Sequence, residues 1–218
     1  MARSRLLFAS GIGAAMRTSP EAFFDAVTII RRMSPELVGV SRFEVQRVAY
    51  LACMLGLYGG EPLAEWGYLF IRSDFGAPFS GDLNSAMDVL SQQNLMNTSQ
   101  GGRFTENFAN TGRMNLFMTE RLAARERYLI PACDSALYLP ASTLAAGIDA
   151  EPTSQSAALQ DGGRPLLDNS AQNLLYDQIK AVREVVGASS DDLLTPSMLW
   201  MTYSARQPIS RSNGNSCE

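Results

Sequence analysis

The chain has 218 residues, 46% of them hydrophobic, and a formal net charge of −4 at pH 7, enough for one large packed domain or two small ones. It has no histidine and a single lysine, Lys180; Ser-His-Asp and Cys-His catalysis are therefore excluded within the chain, and so is a Walker A loop, because Gln178-Ile179-Lys180 follows no glycine. Cys53, Cys133 and Cys217 are too far apart to suggest a disulfide framework or a zinc knuckle, and no run of 18 apolar residues marks a membrane span.

Met1 to Met16 carries Arg3 and Arg5 before Leu6-Leu7-Phe8-Ala9, a faint signal-peptide pattern. Ser10, Gly11 and Gly13 break the apolar stretch, so a cytoplasmic protein is expected. Gly11-Ile12-Gly13 lacks the later glycine of a nucleotide fingerprint, and Asp74-Phe75-Gly76 spells a kinase triplet without its companion motifs.

Ser19-Pro20-Glu21 predicts a helix start: an N-cap, proline at the first helical position and an acid in the first turn. Phe23, Ala26, Val27 and Ile30 then recur at helical spacing to about Met33. Ser41 and Glu44 form a capping box for a second helix. Its buried stripe is Val45, Val48, Ala49, Ala52 and Leu55, with Gly59-Gly60 as its stop. Cys53 lies on that apolar face and reads as a small buried hydrophobe. A third helix is predicted from Pro62 to about Ile71, with Leu63, Trp66 and Phe70 on a core-facing side.

Phe75 to Ser80 reads as a rigid connector whose Ser80 caps a helix over Gly81–Asn94, with Leu83, Ala86, Met87 and Leu90 inward. Residues Leu95–Thr98 and Arg103–Phe108 flank Ser99-Gln100-Gly101-Gly102, a hairpin signal. A helical pattern runs from Asn115 to Tyr128, and Pro131 and Pro140 punctuate two short helical pieces. Asp168 to Val186 predicts a helix with Leu174, Leu175, Ile179, Val182 and Val186 on one face. Asp191-Asp192, the one adjacent acidic pair, reads as a loop before a last helix opened by Thr195-Pro196.

The expected class is thus mainly α with a small β-hairpin, a winged-helix-like core plus additional helices. The expected divisions are an N-terminal extension over 1–18, the helical winged-helix-like domain over 19–146 and a linker or long loop over 147–169. C-terminal helices over 170–206 pack on the core, and a polar tail over 207–218 is disordered. No catalytic residues, cofactor or metal ligands are assigned.

Three helices followed by a hairpin usually suggest DNA binding through the last helix. Here that helix, Gly81–Asn94, carries Asp82 and Asp88 and no basic residue, which opposes entry between phosphates. Asn84, Gln92 and Gln93 are able to bond adenine edges, but polar residues are also what any exposed helix face shows. Residues 1–47 carry seven arginines against four acids, and residues 103–127 carry five against three, with acidic blocks between and after. Alternating blocks suit separate docking surfaces. The candidate DNA- or partner-binding residues are Arg103 at the hairpin turn, Arg113, and Arg121 with Arg125, four apart on one helix face. The competing reading is a solvated basic face neutralised by Glu120 and Glu126.

The run Phe43 to Met96 resembles the Panacea-like winged-helix domains of antitoxins and the middle component of three-component ABC-ATPase (Lamassu-type) defence systems. The resemblance rests on Phe75-Gly76-Ala77-Pro78-Phe79-Ser80 followed by Leu83, Ala86, Met87, Leu90 and Leu95. Ala77 stands between the glycine and the proline, and Thr195 to Trp200 holds no histidine, a departure that favours the middle component over the antitoxin. The resemblance implies a non-catalytic bridging subunit between an SMC- or Rad50-like ATPase and an effector nuclease, with double-stranded DNA as a further contact. The alternative is a winged-helix DNA-binding regulator or antitoxin.

Overall fold

Ser19 caps the first described helix by accepting the Ala22 N–H at its hydroxyl, and Pro20 opens that helix, α1 (Pro20–Met33). The computed structural model describes residues 19–110, 119–151, 154, 165–167, 171–189 and 191–207. The predicted N-terminal extension, the polar tail beyond Gln207 and most of residues 152–170 lie outside them. In α2 (Arg42–Tyr58) both arms of the predicted capping box form: the Ser41 hydroxyl accepts the Glu44 N–H, and the Glu44 carboxylate accepts the Ser41 N–H at 2.6 Å. Every residue from Val48 to Tyr58 is buried, so α2 is the central helix, covered on all sides.

The third helix is shorter than its pattern predicts. α3 (Leu63–Trp66) stops because Gly67 turns left-handed, at φ 92°. A side chain there would be strained by that φ and would also strike the Glu21 carboxylate. Tyr68 and Phe70 still reach the core, but from extended chain. The predicted connector is instead half of a hairpin. Strand β1 (Ile71–Arg72) pairs antiparallel with β2 (Pro78–Phe79), closed by the Ser73 N–H on the Ala77 carbonyl at 2.9 Å.

Ser80 caps α4 (Gly81–Gln92) by accepting the Leu83 N–H, and Leu83, Ala86, Met87 and Leu90 are buried as their spacing predicts. The second hairpin, β3 (Met96–Thr98) and β4 (Phe104–Glu106), follows. Phe104 also exchanges both backbone hydrogen bonds with Val40, each 2.8 Å, joining β4 to the α1–α2 corner.

Residues 111–118 lie outside the described chain. The expected Asn115–Tyr128 helix is present as α5 (Glu120–Ala123), a turn at Ala124-Arg125, and the start of α6 (Glu126–Tyr138). Pro131 sits inside α6 and does not end it. Burial of Tyr128, Leu129, Ala132 and Cys133 around it holds the helix together. α7 (Ala141–Asp149) takes in Gly147, which the sequence placed in a linker. Gly147 has no room for a side chain, since a Cβ would lie 2.7 Å from the Met201 carbonyl oxygen. The described remnants of the expected linker lie on the core. Leu166 and Leu167 are buried, and the Leu166 N–H bonds the Phe70 carbonyl at 2.8 Å.

α8 (Ala171–Val186) buries Leu175 and Ile179, while Leu174 and Val186, expected on the same face, are 43% and 41% exposed. α9 (Leu194–Arg206) packs on α6, α7 and α8. Asp192 serves its first turn, accepting the Leu194 and Thr195 N–H groups at 3.0 Å each. These bonds hold its carboxyl below the usual range. The protein is therefore mainly helical, with two small antiparallel sheets of two strands each among the described residues.

Candidate docking site at the second hairpin

The β3–β4 hairpin is held in one register, Met96 opposite Glu106, Asn97 opposite Thr105 and Thr98 opposite Phe104. Its turn closes through the Gly102 N–H on the Ser99 carbonyl and the Ser99 N–H on the Arg103 carbonyl, both 2.9 Å. Alternation puts Phe104 and Met96 inward. Arg31 of α1 pairs with Glu106 at 3.0 Å, so the hairpin is tied to α1 as well as to Val40.

Arg103 does not extend from the hairpin. Its guanidinium turns back onto the α1–α2 corner, donating to the Gly39 carbonyl at 2.7 Å and to the Glu44 carboxylate at 3.1 Å. The same carboxylate completes the α2 capping box. Partial burial alone would raise the Glu44 carboxyl; the Ser41 and Arg103 hydrogen bonds outweigh it and hold the group below its usual value.

One of the two acids of α4 is neutralised from a neighbouring helix. Arg42, one residue past the α2 N-cap, donates to Asp88 at 2.6 Å and to the Asn84 side-chain oxygen at 2.9 Å, and its guanidinium lies 5.3 Å from the Phe104 ring centre. Asp88 thus has the compensating arginine that α4 itself lacks, and Asn84 is engaged inside the fold. Gln92 and Gln93 are exposed. The start of α4 is fixed by Gln46 of α2, whose amide accepts the Ser80 N–H at 2.8 Å and donates to the Ser80 carbonyl at 3.0 Å, all buried.

Of the remaining predicted arginines, the one whose side chain is described lies elsewhere. Arg125, at the turn between α5 and α6, is buried: its Nε and Nη2 grip both oxygens of Asp25 at 2.8 and 2.5 Å, and its guanidinium stacks 3.9 Å from the Trp66 ring centre. Tyr68 donates a third bond to Asp25 at 2.6 Å. Burial pushes the Asp25 carboxyl up, against the pull of Arg125 and Tyr68. Burial alone would lower Arg125, but the Asp25 hydrogen bonds keep it above its usual value. Arg113 lies outside the described residues; Arg121 lies in α5, and its side chain is likewise outside them.

Sequence reasoning assigned no role to Arg42, Gln46 or Asp25. Their partners are 34 to 100 residues distant, so no local spacing marks them. Beside the exposed Gln92 and Gln93, the site also leaves three large apolar side chains outward: Val38, 97% exposed beside Arg103, Phe43 on the first turn of α2, and Phe108, 80% exposed after β4.

Among the described residues no group of three acidic or thiol side chains is arranged to hold a metal ion. No described helix is long and apolar enough to cross a membrane. No protein-family model, curated protein or solved structure matches the chain.

Proposed function

We propose that this chain is a non-catalytic docking subunit whose interaction face is a winged-helix-like unit of α1, α2, α4 and the β3–β4 hairpin. The order of elements supports that reading, as does the bridge from β4 back to the chain before α2. One observation carries the choice of docking over DNA reading. The cations at the hairpin, Arg103 and Arg42, are bound to Glu44 and Asp88 within the fold, while Val38, Phe43 and Phe108 remain outward. A DNA reader needs cations directed at phosphates; a protein-binding face needs apolar anchors with a polar surround.

The partner class rests on the resemblance of Phe43–Met96 alone: an SMC- or Rad50-like ATPase and an effector nuclease of a cytoplasmic defence complex. The test expresses the chain with the products of its neighbouring genes and asks for a stable complex by size-exclusion chromatography. Phe108→Asp and Val38→Asp should weaken that complex while leaving far-UV circular dichroism unchanged. A chain that stays alone but binds duplex DNA with a steep salt dependence would replace this reading with the regulator.

A further inference from the structure

The corner that joins α1 to α2, residues 34–41, is fixed more firmly than an exposed turn needs to be. Arg103 donates to the Val38 carbonyl at 3.2 Å and to the Gly39 carbonyl at 2.7 Å. Val40 exchanges both backbone bonds with Phe104, and the Leu37 N–H reaches back to the Met33 carbonyl at 3.0 Å. Gly39 is buried and left-handed at φ 82°, and a Cβ there would lie 3.0 Å from the Arg103 Cβ. From this pinned backbone Val38 points outward, 97% exposed, with Phe43 following on the first turn of α2. An apolar residue held in place before binding loses little chain entropy when it is covered.

The charges around the corner are paired unevenly. Its arginines are bound within the fold, Arg31 to Glu106, Arg42 to Asp88 and Arg103 to Glu44. Its acids are not all bound. Among the described residues Glu36, exposed and two positions before Val38, has no cationic partner, and neither does Asp82 in the first turn of α4. Asp82 is favoured where it stands by the α4 N-terminus; Glu36 follows the C-terminus of α1, the end that disfavours a carboxylate.

A surface with engaged cations and unengaged acids favours a ligand of the opposite sign and opposes a phosphate backbone. Building on the docking reading above, we propose that the α1–α2 corner receives a basic, apolar segment of the partner protein, an apolar side chain over Val38 and an arginine or lysine at Glu36.

The test follows the Glu36, Val38 and Gly39 amide signals of the full chain labelled with 15N. The capped peptide acetyl-Leu-Arg-Leu-amide should move them saturably at up to about 20 mM, the range of a weak contact. Acetyl-Leu-Glu-Leu-amide, equal in apolar content, should bind more weakly. Glu36→Gln should weaken the arginine peptide about two- to fivefold, as loss of an exposed charge pair does, and added salt should act in the same direction. Val38→Ser should weaken both peptides, and Glu36→Lys should reverse the preference between them. Signals that move with neither peptide, that respond equally to both, or that keep their preference in Glu36→Lys overturn the proposal. So do signals that shift with protein concentration alone, which would make the corner a contact between copies of this chain. The docking reading fails separately, if no complex forms with the neighbouring gene products. A complex broken by Val38→Asp but untouched by Glu36→Lys keeps that reading and overturns this one.

Discussion

Arg125 is buried because Asp25 meets it with both oxygens while Trp66 covers its flat face. A guanidinium suits that place better than an ammonium, since its planar fork matches a carboxylate and it stacks on an aromatic ring. Such a pair gives weak net stability but makes each partner dependent on the other. Arg125→Met should therefore leave Asp25 buried without its cation and lower the unfolding free energy by about 3–5 kcal/mol, read from urea titration. The double variant Arg125→Met, Asp25→Leu should recover a large part of that loss. If the double variant is as unstable as the sum of its singles, the two groups do not act as a pair. Sequence spacing set Arg125 beside Arg121 on one surface face, because four residues make neighbours in a continuous helix. The break at Ala124-Arg125 and the distant Asp25 decide otherwise, and neither is visible in a local window. Arg103 shows the same limit: its place at a hairpin turn is legible, its bond to Glu44 is not.

Helix starts at Ser19, Ser41 and Ser80 were legible because a cap is a contact between residues three apart. So was the β3–β4 hairpin, whose strands flank a run of turn residues. Elements decided by distant contacts were not. Gly67 ends α3 against the periodicity of Leu63, Trp66 and Phe70, and Pro131 stays within α6 because its neighbours are buried. The β1–β2 hairpin escaped notice because two-residue strands carry no alternation to read. Gln46 shows how such distant contacts place an element. Its two bonds to Ser80 set where α4 leaves the chain, and hence the angle between α4 and α2. Gln46→Ala would strand the Ser80 N–H and carbonyl in the core, each worth on the order of 1–3 kcal/mol. A lowered urea midpoint with faster amide exchange in the first turn of α4 is the expected outcome. A variant within about 0.5 kcal/mol of the parent, the range of an ordinary surface change, would mean that water replaces the amide and that Gln46 does not position α4.

The same hydrophobic cluster takes in Leu83 and Leu90 of α4, Leu175 and Ile179 of α8, and Trp200 and Met201 of α9. α2 is the shared wall: it packs on α6 and on α8, and Tyr58 meets Tyr176 at 5.5 Å between ring centres. Pro165 to Leu167 join the hairpin side to this core through Ile71 and Phe70. A chain of this length often unfolds in steps, and a linker over 147–169 would favour that. Contacts running through α2 favour the opposite, since losing α8 would expose the face of α2 that it covers, and α9 packs on α8. Trp66 and Trp200 report the two regions separately. In Trp200→Phe the fluorescence follows α3 and the α5–α6 turn; in Trp66→Phe it follows α9. In each variant the urea transition seen by the remaining tryptophan should superimpose on the far-UV circular dichroism transition. A Trp200 signal lost at lower urea than the helical signal would make α8 and α9 a separate unit, loosely placed on the rest. Coincidence in both variants would make the C-terminal helices part of the structure that holds α2, and with it α4 and the hairpin, in place.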